Sequence, residues 1–295
     1  MSADLRPYLW MLLGAFSFAW MGTLAHEARA SHPWQTIAFI RSLVPLVLVG
    51  IWTWAAGVNF VFVRPPILWL RSLSGSMSLI GTFYALSILP PSEVWTLTNL
   101  FPLWIALLSW PMLGAFPRPQ VWVSIVAAIA GVYLIFGAKL VTGEATILIG
   151  LAISLFTAVA MMGLNRLKGI DVRAVVVHFS AVSLAFSAAA YWIFPVAEAE
   201  IEPDHWDSLR LIGVGLAATL GQVCLTQAFT KGDPARVSVV GLTQIVFALV
   251  IGAVLFGESP DQGKLLGIPL VLGPTAWVML TPNRPPIGDP EPIDG

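Results

Sequence analysis

Charge is scarce in this chain. Asp, Glu, Lys and Arg together make up 11% of its 295 residues, where a soluble domain carries about 25%. So few charges could not cover a surface facing water on all sides, and the mean hydropathy of +0.83 agrees. The net charge of −1 excludes a basic, nucleic-acid-binding face as the main theme. Cysteine is scarcer still. The single thiol, Cys224, permits no intrachain disulfide and is too little for a metal cluster, so it reads as a small packing residue. No Asp or Glu falls clearly within an apolar stretch, which argues against a buried carboxylate as an ion-coupling or proton-relay group. Gly-x-Ser-x-Gly, His-Glu-x-x-His and nucleotide-binding loops are missing too. An intramembrane enzyme would need such a cluster, so no catalytic residue is assigned and no cofactor is implied.

Apolar runs are what the chain has in abundance. Ten stretches approach the roughly 20 residues that a helix needs to cross hydrocarbon. They lie near 8–27, 34–56, 67–89, 92–113 and 119–137, then 146–164, 174–194, 208–229, 235–256 and 263–281. Barrel strands would be shorter and would alternate polar with apolar residues. The predicted class is therefore an all-α integral membrane protein, and the lipid bilayer is its first partner. The run near the N-terminus is long and shows no small-residue cleavage site after it, which reads as an uncleaved first helix. The proline-rich tail, 282–295, is expected to be disordered.

The chain also repeats itself. An offset of 143 residues aligns Ala85-Leu86 with Ala228-Phe229, and the same offset pairs Pro91 with Pro234, Val94 with Val237, Gly114 with Gly257 and Pro117 with Pro260. Five spans per copy place the second copy upside down relative to the first, a signature of secondary carriers. The predicted repeats are 8–137 and 146–281. The distribution of Lys and Arg gives the orientation independently. With the N-terminus inside, the cytoplasmic face receives Arg6, Arg64, Arg71, Arg118, Arg166, Lys168, Arg173, Lys231, Arg236 and Arg284, against Arg29, Lys139, Arg210 and Lys264 outside. Both termini are then cytoplasmic. The acidic run Glu198, Glu200, Glu202, Asp204 and Asp207 reads as a solvated outer loop.

Arg71-Ser72-Leu73-Ser74-Gly75, running through Phe83-Tyr84-Ala85-Leu86 to Pro90-Pro91-Ser92 and Pro102, resembles the EamA domain of the drug/metabolite transporter superfamily. So does Gln227-Ala228-Phe229, through Pro234-Ala235 to Leu255-Phe256-Gly257-Glu258. The resemblance covers about residues 8 to 281. It implies ten transmembrane helices in two inverted-topology five-helix repeats, alternating access, a small-molecule substrate and a monomer; the inner (plasma) membrane is expected separately, from the short loops and the lack of targeting segments. The family often has an acidic residue where the fourth helix of each repeat ends. Glu258 fits, whereas Ala115 stands at the matching place in the first repeat.

Candidate site residues follow from the cost of polar groups in a bilayer. Arg41, alone in an apolar run, offers a fixed charge and a donor fork suited to a carboxylate or phosphate; the alternative is snorkelling toward the outer interface. His178 is the proton-coupling candidate, or else a hydrogen-bonding packer. Thr98, Asn99, Gln222, Gln227, Thr243 and Gln244 face a water-filled cavity or bind helix to helix, contacts typically worth about 0.6 kcal/mol. Trp20 and Trp95 lie deeper than the interfacial tryptophans, lining a cavity or packing. Pro102, Pro269 and Pro274 are hinge candidates, since each removes a backbone bond within a span. The functional expectation is an exporter of amino acids or related carboxylates. A carrier of larger anionic or aromatic solutes, such as a nucleotide-sugar or flavin, is the alternative.

Overall fold

The computed structural model of the protein describes residues 4–89, 91–114, 116–136, 144–196, 202, 204–257 and 261–281. Ala115, Glu258, Glu198, Glu200 and the 282–295 tail lie outside these residues. All regular structure described is helical. The first half holds α1 (Arg6–Glu27), α2 (Trp34–Ala55), α3 (Pro66–Ile88), α4 (Pro91–Thr98), α5 (Phe101–Leu113) and α6 (Pro119–Phe136). The second holds α7 (Glu144–Asn165), α8 (Val172–Ile193), α9 (His205–Lys231), α10 (Pro234–Gly241), α11 (Thr243–Phe256) and α12 (Gln262–Leu280).

Among the described residues, nine stretches are long and apolar enough to cross a membrane, and the protein is a multi-pass membrane protein. Seven lie on single helices, and two run across the α4–α5 and α10–α11 junctions, as Val94–Leu113 and Pro234–Phe256. The third predicted span, α3, is the exception. Its 23 residues suffice in length, but Arg71 and the serines at 72, 74, 76 and 78 dilute its apolar character. Arg71, Ser72, Ser74 and Ser76 are buried, so the polar side of α3 is turned toward other helices rather than lipid.

The ends of the helices are set by familiar chemistry. Asp171, Asp233 and Asp261 each accept a backbone N–H in the first turn of α8, α10 and α12. Asp204 and Asp207 form a reciprocal capping box on α9. The sequence places Asp207 in a solvated loop. Instead it is buried and bonded to Arg210 as well as to the backbone of Asp204. Gly114 and Gly257 end α5 and α11 in the left-handed conformation, with φ of 74° and 67°.

The two composite spans break at matching places, Asn99-Leu100 and Leu242, again 143 residues apart by the Asn99-to-Leu242 offset. Pro102 is therefore not a kink within a continuous helix. It sits in the first turn of α5, where a missing N–H costs nothing. Pro269 and Pro274 lie inside an unbroken α12. Around the breaks the polar side chains turn back on their own helices. Thr98 donates to Val94 O, Asn99 to Trp95 O and Thr243 to Val240 O.

The bundle is built by α1 packing on α9, α3 on α7, α2 on both α8 and α9, α3 also on α8, and α6 on α12. The α6–α12 crossing is backbone on backbone. A Cβ at Gly131 would lie 2.7 Å from Gly267 O, and one at Gly267 would lie 2.5 Å from Gly131 O. At the end where α10 begins, side chains clamp the helices. Asn165 donates to Phe229 O and Gly232 O, both at 2.9 Å. Arg236, counted in sequence as a loop charge, is instead buried, donates to Val278 O and Thr281 O and lies over Tyr8. At the other end Arg29 donates to Leu86 O and Gln35 to Pro195 O.

Candidate functional site: a cationic cleft between α2, α8 and α9

Three helices border a narrow cleft with a cavity volume of about 10 Å³. Arg41, Ser42 and Pro45 come from α2, Phe179, Ser180 and Ser183 from α8, and Ala218 and Gln222 from α9. Of the residues predicted from sequence, Arg41 and Gln222 meet here. Among the described residues, Arg41 forms no hydrogen bond and no ion pair. Gln222 is buried with its Nε2 unpartnered. A guanidinium and a free amide N–H thus face one small space, and both are donors.

The register of the surrounding helices fixes the depth of the site. Ser72 Oγ meets His178 Nδ1 at 2.8 Å, and Ser76 Oγ meets Ser183 Oγ at 2.9 Å, so α3 and α8 run side by side in the same direction. Against α2 the order reverses, with Ser187 donating to Ala38 O and Thr36 bonded to Tyr191. Carried along both registers, Arg41 stands level with the turn of α8 that begins at Ser183. Arg71 stands level with Val177, lower by about 10 Å at 1.5 Å per residue. Phe179 lies between these levels.

Arg71 is the residue that sequence reasoning misplaced, counting it as an inner-face charge. It is 1% exposed, and its Nε and Nη1 have no hydrogen-bond partner. Its guanidinium carbon lies 4.0 Å from the centroid of Phe179. Stacking on the ring contributes up to about 2 kcal/mol, against a desolvation cost of several kcal/mol for a buried ion. The ring alone does not balance the charge. The buried carboxylate among the described residues is Asp207, already paired with Arg210 at the start of α9. A signal was present in the sequence. Ser72 and Ser76, and Arg71 and Gly75, are each one turn apart, so a polar strip and a small residue share the face from which Arg71 projects.

His178 is held on both sides. Its Nδ1 meets Ser72 Oγ and its Nε2 meets Phe62 O at 3.2 Å, while Trp69 stands edge-on at 4.7 Å between ring centroids. With a carbonyl at Nε2, that nitrogen carries a proton, and the ring is held in place from both sides. The remaining candidates do not line this cleft. Trp20, Trp95, Gln227 and Gln244 are half-buried elsewhere, Gln227 with an unpartnered Oε1. Thr98, Asn99 and Thr243 each direct a donor back to the preceding turn at the breaks.

An apolar helical bundle with two broken spans and a cation-lined cleft among its helices has the architecture of a membrane transporter. The chain belongs to the EamA-like transporter family, which it matches over residues 5–137 and again over 144–280. It is 27% identical over 263 residues to the pseudopaline exporter CntI of Pseudomonas aeruginosa (strain UCBPP-PA14), covering 88% of this chain and 91% of that protein. An uncharacterized transporter of Helicobacter pylori (strain J99 / ATCC 700824) is 25% identical over 206 residues, covering 68% and 69% of the two chains. A solved crystal structure superposes with a TM-score of 0.80 at 18% identity, over 94% of this chain and 98% of that one, a likeness of fold alone.

Proposed function

We propose that this chain is a secondary carrier that exports a small carboxylate, of the amino-acid or organic-acid class, across the inner membrane. The observation that carries the reading is Arg41, an unpaired guanidinium facing a cleft whose other free donor is Gln222 Nε2. An anion complements two donors, and a carboxylate accepts from both. The pseudopaline exporter among the relatives favours outward transport.

Alternating access between two inverted five-helix repeats, 8–137 and 146–281, is the mechanism of this reading, with ten spans and both termini cytoplasmic. Three observations support it. Exchanging α1 with α7, α2 with α8, α3 with α9 and α6 with α12 maps most helix contacts onto others of the same bundle. The α4–α5 and α10–α11 breaks correspond. Leu86 O and Phe229 O, equivalent by the 143-residue offset, both accept a side-chain N–H from the end of a neighbouring helix, Arg29 after α1 and Asn165 in α7. One clamp lies at each end of the bundle, as two exchangeable gates require.

The test is thermal stabilisation of the purified protein by a panel of amino acids, organic acids, nucleotide-sugars and flavins. A ligand that binds only the folded state stabilises it by about 2.7 kcal/mol at 100 times its dissociation constant. Carboxylates are expected to stabilise the wild type and to lose the effect in Arg41→Gln. Normal affinity in a folded Arg41→Gln protein would overturn the role of Arg41. Stabilisation confined to nucleotide-sugars or flavins would replace the substrate class.

A further inference from the structure

Arg71 has no part in a site that ends at Arg41, yet its surroundings are shaped for a guanidinium. A Cβ at Gly75 would stand 2.2 Å from Arg71 Nη1 and 2.9 Å from Phe179 Cε2, so only glycine leaves room there for the fork and the ring together. Gly163 of α7 backs the stem, its own Cβ position 3.1 Å from Arg71 Cβ. The ring stacked on Arg71 is the same Phe179 that walls the Arg41 cleft. The two arginines therefore leave α2 and α3 at different levels, and one aromatic side chain, Phe179, borders both. The upper has no hydrogen bond among the described residues, and the lower has two nitrogens without partners.

We propose that the transported substrate carries two anionic groups, and that Arg71 is its second binding residue. One carboxylate sits on Arg41 in the cleft. The other reaches the Arg71 guanidinium when the Phe179 ring turns aside, exchanging a cation–π contact for charge-assisted hydrogen bonds. This rests on the reading of the Arg41 cleft as the substrate site. The charge balance selects the class. One carboxylate neutralises one of the two cations that border Phe179, and a zwitterionic amino acid would bring its ammonium group toward the second. A dicarboxylate neutralises both.

The experiment measures binding of chain-matched probes, butanoate against succinate and hexanoate against adipate, to wild type, Arg41→Gln and Arg71→Gln by thermal stabilisation. The wild type should bind the better-fitting dicarboxylate at least about tenfold more tightly than its monocarboxylate, the effect of one added charged hydrogen bond. Arg71→Gln should bring that ratio to about one with monocarboxylate binding retained, which also reports that the variant is folded. If Arg71→Gln does not fold, Gly75→Ala keeps the charge, displaces the guanidinium and should lower the same ratio. Equal affinity for the two probe classes in the wild type, or an unchanged ratio in Arg71→Gln or Gly75→Ala, overturns the proposal. Monocarboxylate binding that depends on Arg41 without any dicarboxylate preference would leave the cleft reading standing and remove this one. No carboxylate binding at all would remove both.

Discussion

Replacing Asn165 removes a two-point clamp whose worth follows from helix geometry. The last four carbonyls of any helix have no partner within it, and Phe229 O is among the last four of α9. The Asn165 amide donates one N–H to Phe229 O and the other to Gly232 O beyond the helix, both at 2.9 Å, from a position that is 5% exposed. In Asn165→Ala both bonds are lost, and two carbonyls are left without this donor. At about 1 kcal/mol net per bond, rising toward 3 where a buried group stays unsatisfied, the loss is about 2–4 kcal/mol. Asn165→Leu keeps the volume and removes the donors, so it separates hydrogen bonding from packing. Unfolding in mild denaturant from detergent is the assay. Both variants should lose about the same stability. A loss below about 0.5 kcal/mol in Asn165→Ala, or near-complete recovery in Asn165→Leu, would refute the reasoning, because the donors would then not be what holds α7 to α9.

Two further outcomes follow from other parts of the bundle. Gly131→Val drives a branched side chain into Gly267 O and Leu270 Cβ, 2.7 and 2.9 Å from the Cβ position. It should cost about 1–3 kcal/mol or more by overpacking, read as a lowered melting temperature, with Gly273→Ala, where nothing lies within 4 Å, near wild type. At the surface, the Arg173 fork beside Asp171 holds its carboxyl below the ordinary carboxylate range. A lowered folded-state pKa gives stability that is present above the unfolded value and is lost as pH falls through the folded one. The stability difference between wild type and Asp171→Asn should therefore stay constant from about pH 7 to pH 5 and close only below about pH 4; closure near pH 6 would contradict the assignment.

The helices were legible in the sequence because apolar runs and the 143-residue offset are local or periodic signals. The two helix breaks are not legible in this way: 92–113 and 235–256 read as continuous spans, with Pro102 as a kink rather than the first turn of a new helix. The site was less legible, for a physical reason. Arg71 stands five residues into α3, where a long side chain can reach out to the interface or turn inward, and no window of sequence distinguishes the two. Its inward course depends on Gly75 beside it, Gly163 on α7 and Phe179 on α8, contacts that exist only once the helices have packed. Asp207 was misread in the same way, since capping and burial both depend on where a helix begins. Arg41 stands out in the sequence because it lies far enough from either end of α2 that its charge is conspicuous in the run itself.

The sign of the unpaired charge in the cleft bears on energy supply. A bacterial membrane is negative inside, and each elementary charge that crosses it exchanges about 2.3 kcal/mol per 100 mV. The guanidinium groups of Arg41 and Arg71 are fixed on α2 and α3, so an anion carried past them takes its own charge through the voltage. Outward movement of a carboxylate is then downhill, by a factor of roughly fifty per negative charge at 100 mV. In the proposed reading, an exporter with cations at its centre would be powered by the membrane voltage itself, and current, rather than acidification, would be the sign of its turnover.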